Sequence, residues 1–279
     1  MHGRKGFARG ALTALLALAV AAGAAVGASA TPRATKAGNP YNLNSPGTLV
    51  VGMDLEFPPE MFLKKGQPAG YDVVLVKTLA SAMHVKLKIQ NLAFTGLIPG
   101  LVAKKFDMVS VGLVATPERK KAVSFSRPYV PYAQILAARP SNSTPATIAA
   151  WNDSSKTITS LQGSTAEQLV AKEFPKATSH SFPDQNAAFL EVATGRADAI
   201  VVENYLVAQW NKSNPTRKLK QVPFPKPLHV EYGSWAVQKG NGALVKFMNS
   251  FLCRVQKNGK LAAIYRATEG TSLPPMPHC

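Results

Sequence analysis

The sequence has few cysteines and few charged residues, and each shortage excludes a class of protein. Two cysteines in 279 residues are too few for a disulfide scaffold, and no group of cysteines and histidines has the spacing of a zinc site. With 17% charged and 46% hydrophobic residues, the chain does not have the composition of a wholly disordered protein. The length allows one large domain or two moderate ones. We expect neither a metal nor a cofactor.

Acidic residues are scarce relative to basic ones. The 15 acidic and 32 basic residues give a net charge of +17. One continuous basic surface would suggest nucleic acid or an anionic membrane as partner. The basic residues are scattered, however, and the longest run, Arg119-Lys120-Lys121, has no interleaved aromatic residues that could stack on bases. We therefore expect a solvated basic surface and no nucleic-acid partner, with binding to DNA or lipid as the less favoured alternative.

The first thirty residues have the pattern of a secretory signal peptide. An uncharged stretch, residues 11–30, follows three basic residues, Arg4, Lys5 and Arg9, and it ends in small side chains. This pattern predicts cleavage after Ala30 and export of the rest of the chain. A membrane anchor is the alternative, and the predominance of Ala and Gly disfavours it. Residues 31–47, rich in Pro, Gly and Asn, are expected to be an N-terminal leader.

Export favours a disulfide between the two cysteines, because extracytoplasmic compartments are oxidising. Cys253 and Cys279 both lie near the end of the chain. A bond between them would join the tail to the helix that precedes it, a structural role.

Beyond the leader, short apolar segments alternate with helical patterns, which indicates an α/β fold. Asp72 is the expected N-cap of the first helix. Two extended segments, 129–138 and 228–237, connect two α/β units, which implies a cleft between two lobes. Strands are predicted at 48–53, 85–89, 108–114, 157–161 and 199–202, and helices at 71–83, 97–103, 117–122, 166–173, 187–194, 243–256 and 259–267.

Four motifs occur in a fixed order from about Thr48 to Gly270: GMDLEFPPEMFLKKGQPAGYDVVL, FTGLIPGLVAKKFDMVSVGLVATPERKKAVSFSRPY, LQGSTAEQLV and GRADAIVVENYLVA. Together they resemble the polar amino-acid family of periplasmic solute-binding proteins, the capture subunits of ABC importers. The resemblance implies a periplasmic-binding-protein type II fold, in which two α/β lobes joined by two hinge strands enclose a ligand cleft. It divides the chain into lobe 1, residues 48–134 and 229–279, and lobe 2, residues 135–228.

Two motifs combine the groups that bind a carboxylate. Arg119 follows Thr116 at a helix start, where a planar guanidinium and free backbone N–H groups can grip an anion. Ser164 and Thr165 open another helix after Gly163. The resemblance implies that these residues hold the α-carboxylate of an amino acid. A surface arginine and simple helix caps are the alternatives.

The opposite charge would come from Glu203, at the end of a predicted buried strand. A buried carboxylate needs a cationic partner, and the resemblance implies that the ligand's α-ammonium is that partner. Most of the family has Asp here, and a structural salt bridge is the alternative. Gly112 and Val114 lie where the family presents backbone groups to the ammonium, and Val114 replaces what is often a small hydroxyl residue.

The remaining site residues correspond to the family's side-chain positions. Phe57 and Phe94 would pack against the ligand's aliphatic or planar part, and Asp54 would accept hydrogen bonds from a polar or cationic end. Glu60 stands where an aromatic residue is usual. We expect it to point into solvent, with the cleft rim as the alternative.

The resemblance implies a monomeric periplasmic protein without catalytic activity. It would capture an amino acid, polar or basic, and deliver it to an inner-membrane ABC permease. The same family includes periplasmic dehydratases that act on prephenate or arogenate. A buried Glu203 with a raised pKa would be the catalytic acid of such an enzyme, which is the alternative function.

Overall fold

The computed structural model describes residues 38–279, and a nine-stranded mixed sheet runs through them. The predicted signal peptide, its cleavage site and the leader's residues 31–37 lie outside the described residues. The strands are β1 Thr48–Met53, β2 Glu56–Phe57, β3 Met61–Lys64, β4 Gln67–Ala69, β5 Lys86–Asn91, β6 Met108–Val114, β7 Val123–Ala138, β8 Thr157–Leu161, β9 Thr178–Phe182, β10 Ala199–Glu203, β11 Lys220–Gln221 and β12 His229–Gln238.

Helices alternate with these strands and cover the faces of the large sheet. Across residues 38–279 none of them is both long and apolar enough to cross a bilayer. They are α1 Tyr71–Ala82, α2 Leu97–Val102, α3 Pro117–Ala122, α4 Ile148–Trp151, α5 Thr165–Glu173, α6 Gln185–Thr194, α7 Asn204–Ser213, α8 Gly242–Lys257 and α9 Lys260–Glu269.

The sheet consists of two parallel groups joined by long antiparallel strands. Its order is β5-β1-β6-β12-β7-β10-β8-β9, with β11 beside β7. Strand β1 is parallel to β5 and β6, and β8 is parallel to β9 and β10. The extended strands β7 and β12 are antiparallel to each other and connect the groups. This arrangement confirms the predicted α/β fold class.

The core lies where these central strands meet the helices. The first strand, β1, is buried along nearly its whole length, as its unbroken apolar run predicts. Trp235, on β12, is fully buried, and its indole N–H donates a 2.8 Å hydrogen bond to Ser110 Oγ on β6. A smaller cluster, which includes Trp151 and Val170, packs on the β8 and β10 side of the sheet.

The expectation that Asp72 caps helix α1 is wrong. The helix begins after Gly70, which has no side chain to cap it. The Asp72 carboxylate is fully buried and accepts hydrogen bonds from Ser110 Oγ at 2.9 Å and from Tyr129 OH at 2.7 Å. The carboxylate turns inward because two hydroxyl groups of the core satisfy it there.

The expectation that Glu60 points into solvent is also wrong. Glu60 is only 1% exposed, and its Oε2 accepts a 2.6 Å hydrogen bond from Tyr132 OH. The small sheet of β2, β3 and β4 places the turn before β3 against the long strand β7, which carries Tyr132. Burial and the charge of nearby Asp72 raise the pKa of Glu60 well above its usual range.

The predicted disulfide is confirmed. Cys253, on α8, is bonded to Cys279, and their Cα atoms are 5.6 Å apart. The bond fastens the C-terminal tail to α8.

Candidate functional site

A cavity, partly open to solvent, lies at the carboxyl ends of β6, β8 and β10. Crevices at this edge of α/β sheets are the usual place for ligands. Eight of the ten predicted site residues line it: Phe57, Phe94, Gly112, Val114, Arg119, Ser164, Thr165 and Glu203. The sequence motifs therefore converge in space.

Arg119 is fixed by the first turn of α3 and by two backbone carbonyls. Thr116 caps this helix, and its Oγ1 accepts a 3.2 Å hydrogen bond from the Arg119 N–H. The guanidinium donates to Val114 O at 3.0 Å and to Gly163 O at 2.9 Å. Its carbon atom Cζ lies 5.6 Å from the centre of the Phe94 ring. These contacts hold a planar donor group at the cavity wall.

The Arg119 guanidinium carries a positive charge in a buried place. Burial lowers the pKa of Arg119 to about 10, and the negative charges of Glu231 and Glu203 partly oppose this shift. The group is therefore protonated at neutral pH. A buried cation of this kind can attract a carboxylate strongly, because little water screens it.

Ser164 and Thr165 have different roles at the start of α5. Ser164 caps the helix: its Oγ accepts from the Glu167 N–H at 3.2 Å and donates to Leu161 O at 2.6 Å. The Thr165 hydroxyl donates a 2.7 Å hydrogen bond to Glu231 Oε1. Thr165 thus connects α5 to strand β12, which carries Glu231.

The Glu203 and Glu231 side chains are neighbours, and the side-chain amide of one residue donates a hydrogen bond to each. Gln134, on β7, is fully buried, and its Nε2 donates to Glu203 Oε1 at 2.9 Å and to Glu231 Oε1 at 2.8 Å. Burial and the charge of Glu231 raise the pKa of Glu203 to about 7. Within residues 38–279 no basic side chain forms an ion pair with Glu203, so the predicted salt-bridge alternative is absent there.

Gly112 reaches the cavity because it has no side chain. Its φ of 59° lies in the left-handed region, and a Cβ there would overlap the ring of Tyr132. The Gly112 N–H donates to Tyr129 OH at 2.8 Å.

Two predicted site residues, Asp54 and Thr116, are not in this cavity wall. Asp54 is 3% exposed, and burial together with the charges of Glu56 and Asp184 raises its pKa to about 7. Thr116 lines a neighbouring cavity together with Thr165 and other residues. Their ligand roles stay predictions.

The cavity also contains residues that the sequence patterns did not indicate. They include Met61, Tyr132, Gln185, Tyr205 and Glu231. Gln185 is 4% exposed, and its amide Nε2 has no hydrogen-bond partner among the described residues. Of these residues, only Glu231 could have been recognised in the sequence, because it is an acidic residue within an extended segment that is otherwise largely apolar.

The chain is similar to known proteins that are named for binding amino acids. The model of the family "Bacterial extracellular solute-binding proteins, family 3" matches residues 49–268. The chain is 29% identical to ABC transporter arginine-binding protein 1 of Escherichia coli K12, over 75% of this chain and 85% of that protein. It is 28% identical to a probable histidine-binding protein of Neisseria gonorrhoeae, over 93% and 96% of the two chains.

One solved structure with the same fold bears on the alternative function as a dehydratase. It is an ancestral amino acid-binding protein described as a precursor of cyclohexadienyl dehydratase. It superposes with a TM-score of 0.72 and 33% identity, over 80% of this chain and 95% of that one.

Proposed function

Because this chain belongs to the bacterial extracellular solute-binding proteins, family 3, we propose that it captures an amino acid, polar or basic, for import by an ABC transporter. The observation that carries the proposal is the cavity that both the Arg119 guanidinium and the Glu203 carboxylate line. A free amino acid carries the complementary pair of charges. Binding it would neutralise both groups, and closure around the ligand would exclude water and strengthen both attractions.

We assign the two ends of the ligand to the two sides of the cavity. The α-carboxylate binds Arg119, with Thr116 and the first residues of α5, Ser164 and Thr165, completing its anion site. The α-ammonium binds Glu203, with backbone groups of Gly112 and Val114. The side chain extends toward Phe57, Phe94 and Asp54. The Arg119 assignment draws support from the buried positive charge of the guanidinium, and the Glu203 assignment from the position of its side chain in the cavity wall.

The same proposal gives the long central strands a mechanical role. Residues 48–134 with 229–279 form lobe 1, residues 135–228 form lobe 2, and β7 and β12 form the hinge between them. Closure around the ligand would bring the Arg119 and Glu203 sides together. The exported protein, cleaved after Ala30, would act as a monomer in the periplasm and dock on an inner-membrane permease.

Thermal unfolding of the refolded protein against a panel of L-amino acids tests the proposal. Refolding removes ligand carried through purification. A ligand at about one hundred times its dissociation constant adds about 2.7 kcal/mol to the free energy of unfolding. In a protein of this size that stabilisation raises the melting temperature by several degrees. A shift with one group of amino acids supports the proposal, and no shift with any of them refutes it.

One observation favours a second candidate, a dehydratase acting on prephenate or arogenate. The pKa of Glu203 is raised to about 7, and its side chain lines the cavity, so a protonated carboxyl could donate to a departing hydroxyl group. Incubation with prephenate tests this candidate. Consumption by the wild type but not by Glu203→Gln would support an enzyme, whereas no consumption together with amino-acid binding would leave the capture function alone.

A further inference from the structure

The cavity contains more negative than positive charge. Three charged side chains line it within the part of the chain that the structure describes: Arg119, Glu203 and Glu231. The guanidinium can balance one carboxylate. Among residues 38–279 no basic side chain forms an ion pair with either glutamate, although Glu231 is only 5% exposed. Burying an unbalanced charge is costly, so the imbalance points to a positive charge that arrives with the ligand.

Glu231 is the carboxylate that gives the cavity wall its second negative charge beside Glu203, and its hydrogen bonds hold it there. Its Oε1 accepts from the Gln134 amide at 2.8 Å and from the Thr165 hydroxyl at 2.7 Å. These donors fix the carboxylate at the cavity wall, beside Glu203. The three hydrogen bonds that Gln134 and Thr165 donate to the two glutamates all end on Oε1 atoms. A glutamine at position 231 could keep both contacts while removing the charge.

We propose that Glu231 sets the charge preference of the pocket: together with Glu203 and against Arg119, it selects ligands with a net charge of +1 over neutral ligands of the same shape. The inference rests on the proposed function and deepens it. An amino acid with a cationic side chain leaves the occupied pocket neutral. A neutral amino acid leaves one uncompensated negative charge unless Glu203 retains a proton.

The retained proton gives the proposal a pH signature. The pKa of Glu203 near 7 means that this proton is lost within the neutral range. Affinity for a cationic ligand should therefore rise from pH 6 to pH 8, and affinity for a neutral isostere should fall. The change is at most about tenfold per pH unit for one proton. The titratable and charged groups that face the two glutamates are Arg119, Glu60, Tyr132, Tyr205 and, on the outer side of Glu231, His229 and Lys172.

The test compares L-arginine with L-citrulline, which has nearly the same shape without the side-chain charge. Isothermal titration calorimetry at pH 6 and pH 8 gives both dissociation constants for the wild type and for Glu231→Gln. Glu118→Gln is the matched control, because it removes one negative charge from an exposed side chain outside the cavity. We expect the wild type to prefer L-arginine by about tenfold or more at pH 8. Glu231→Gln should reduce that preference to about threefold or less, and Glu118→Gln should not change it.

Each outcome decides a different claim. An unchanged preference in a folded Glu231→Gln protein overturns the inference while leaving amino-acid capture intact. If that variant does not fold, the wild type alone decides, since parallel pH trends for the two ligands would overturn the inference. If the wild type binds neither these two ligands nor any other amino acid, the proposed function fails and the inference fails with it.

Discussion

The guanidinium of Arg119 donates a 2.9 Å hydrogen bond to the carbonyl oxygen of Gly163, across the cavity from α3 to the residue before the N-terminal turn of α5. A second bond ties the same group to Val114 O at 3.0 Å. Both contacts use the fixed fork of donors that only an arginine provides. Arg119 therefore connects the two walls and keeps a positive charge between them.

Replacement of Arg119 by lysine should weaken binding of an amino acid by about 10- to 100-fold. Lysine keeps the charge, but its single ammonium cannot bind Val114 O, Gly163 O and a ligand carboxylate with the same geometry. Calorimetric titration with the best ligand of the panel measures the loss.

The matched control for this change is Arg196→Lys. Arg196 forms a 2.7 Å ion pair with Glu191 on the surface, away from the cavity. We expect no measurable effect on binding, because exposed pairs contribute little. Equal affinities for the wild type and Arg119→Lys would contradict the assignment of the carboxylate site.

Buried acids should make the protein more stable in mild acid than at neutral pH. Burial raises the pKa of Asp72 to about 7 in the folded protein, whereas an exposed aspartate has a pKa of about 3.9. Between these values the folded state holds a proton that the unfolded state has released. Stability is therefore lost as the pH rises from about 4 to about 7, by at most about 1.4 kcal/mol per pH unit for this group.

Asp72→Asn isolates that contribution, because asparagine imitates the protonated acid. Urea unfolding at pH 5 and pH 7 should show a smaller fall in the free energy of unfolding for the variant than for the wild type. Asp153→Asn is the control, since Asp153 is fully exposed and its pKa is lowered by bonds from Ser155. The assignment fails if Asp72→Asn keeps the full wild-type pH dependence.

Local sequence patterns predicted the elements whose side chains are buried. The bounds of β1, β6 and β8 were predicted without error. Strands β1 and β6 are short, largely apolar runs, and β8, with the sequence TITSL, has three β-branched residues and ends at the turn of Gln162 and Gly163. Strand β9 was missed: its residues are exposed or only partly buried, and it lies at the edge of the sheet. The residues of β9 show no pattern of alternating burial that would predict a strand, and β9 is a strand because it pairs in parallel with β8.

The cavity could be predicted only in part, because some of its groups come together through strand pairing. The motifs indicated Arg119 and Glu203, each beside the end of a strand. Gln134 and Glu231 are 97 residues apart and belong to the long strands β7 and β12. Their contact depends on the register that places Tyr132 opposite Glu231. A single sequence does not reveal that register.

Removal of the disulfide should lower the free energy of unfolding by about 3 kcal/mol. The bond between Cys253 and Cys279 closes a loop with a sequence separation of 26. In the chain-entropy model, a loop of this size restricts the unfolded state by roughly that amount. Urea unfolding of the double variant Cys253→Ala/Cys279→Ala measures the effect. Dithiothreitol should reproduce the loss in the wild type and leave the double variant unchanged, and stability that does not respond to the reductant would contradict a structural role.

Gly112→Ala should destabilise the protein by more than the backbone strain alone explains. The φ of 59° disfavours any side chain there, by about 1–2 kcal/mol, and the new Cβ would also overlap the ring of Tyr132. Displacement of that ring would break its 2.6 Å hydrogen bond to the buried Glu60. Because Tyr132 lines the cavity, binding of the amino acid should weaken as well.

Gly240→Ala separates strain from overlap. Gly240 has a φ of 86°, but no atom lies within 4 Å of a Cβ placed there. Urea unfolding should therefore give a loss of about 1 kcal/mol for Gly240→Ala, and at least about 1 kcal/mol more for Gly112→Ala. Equal losses for the two variants would mean that Tyr132 moves aside at no cost, and that the close approach of Gly112 to the Tyr132 ring does not shape the cavity.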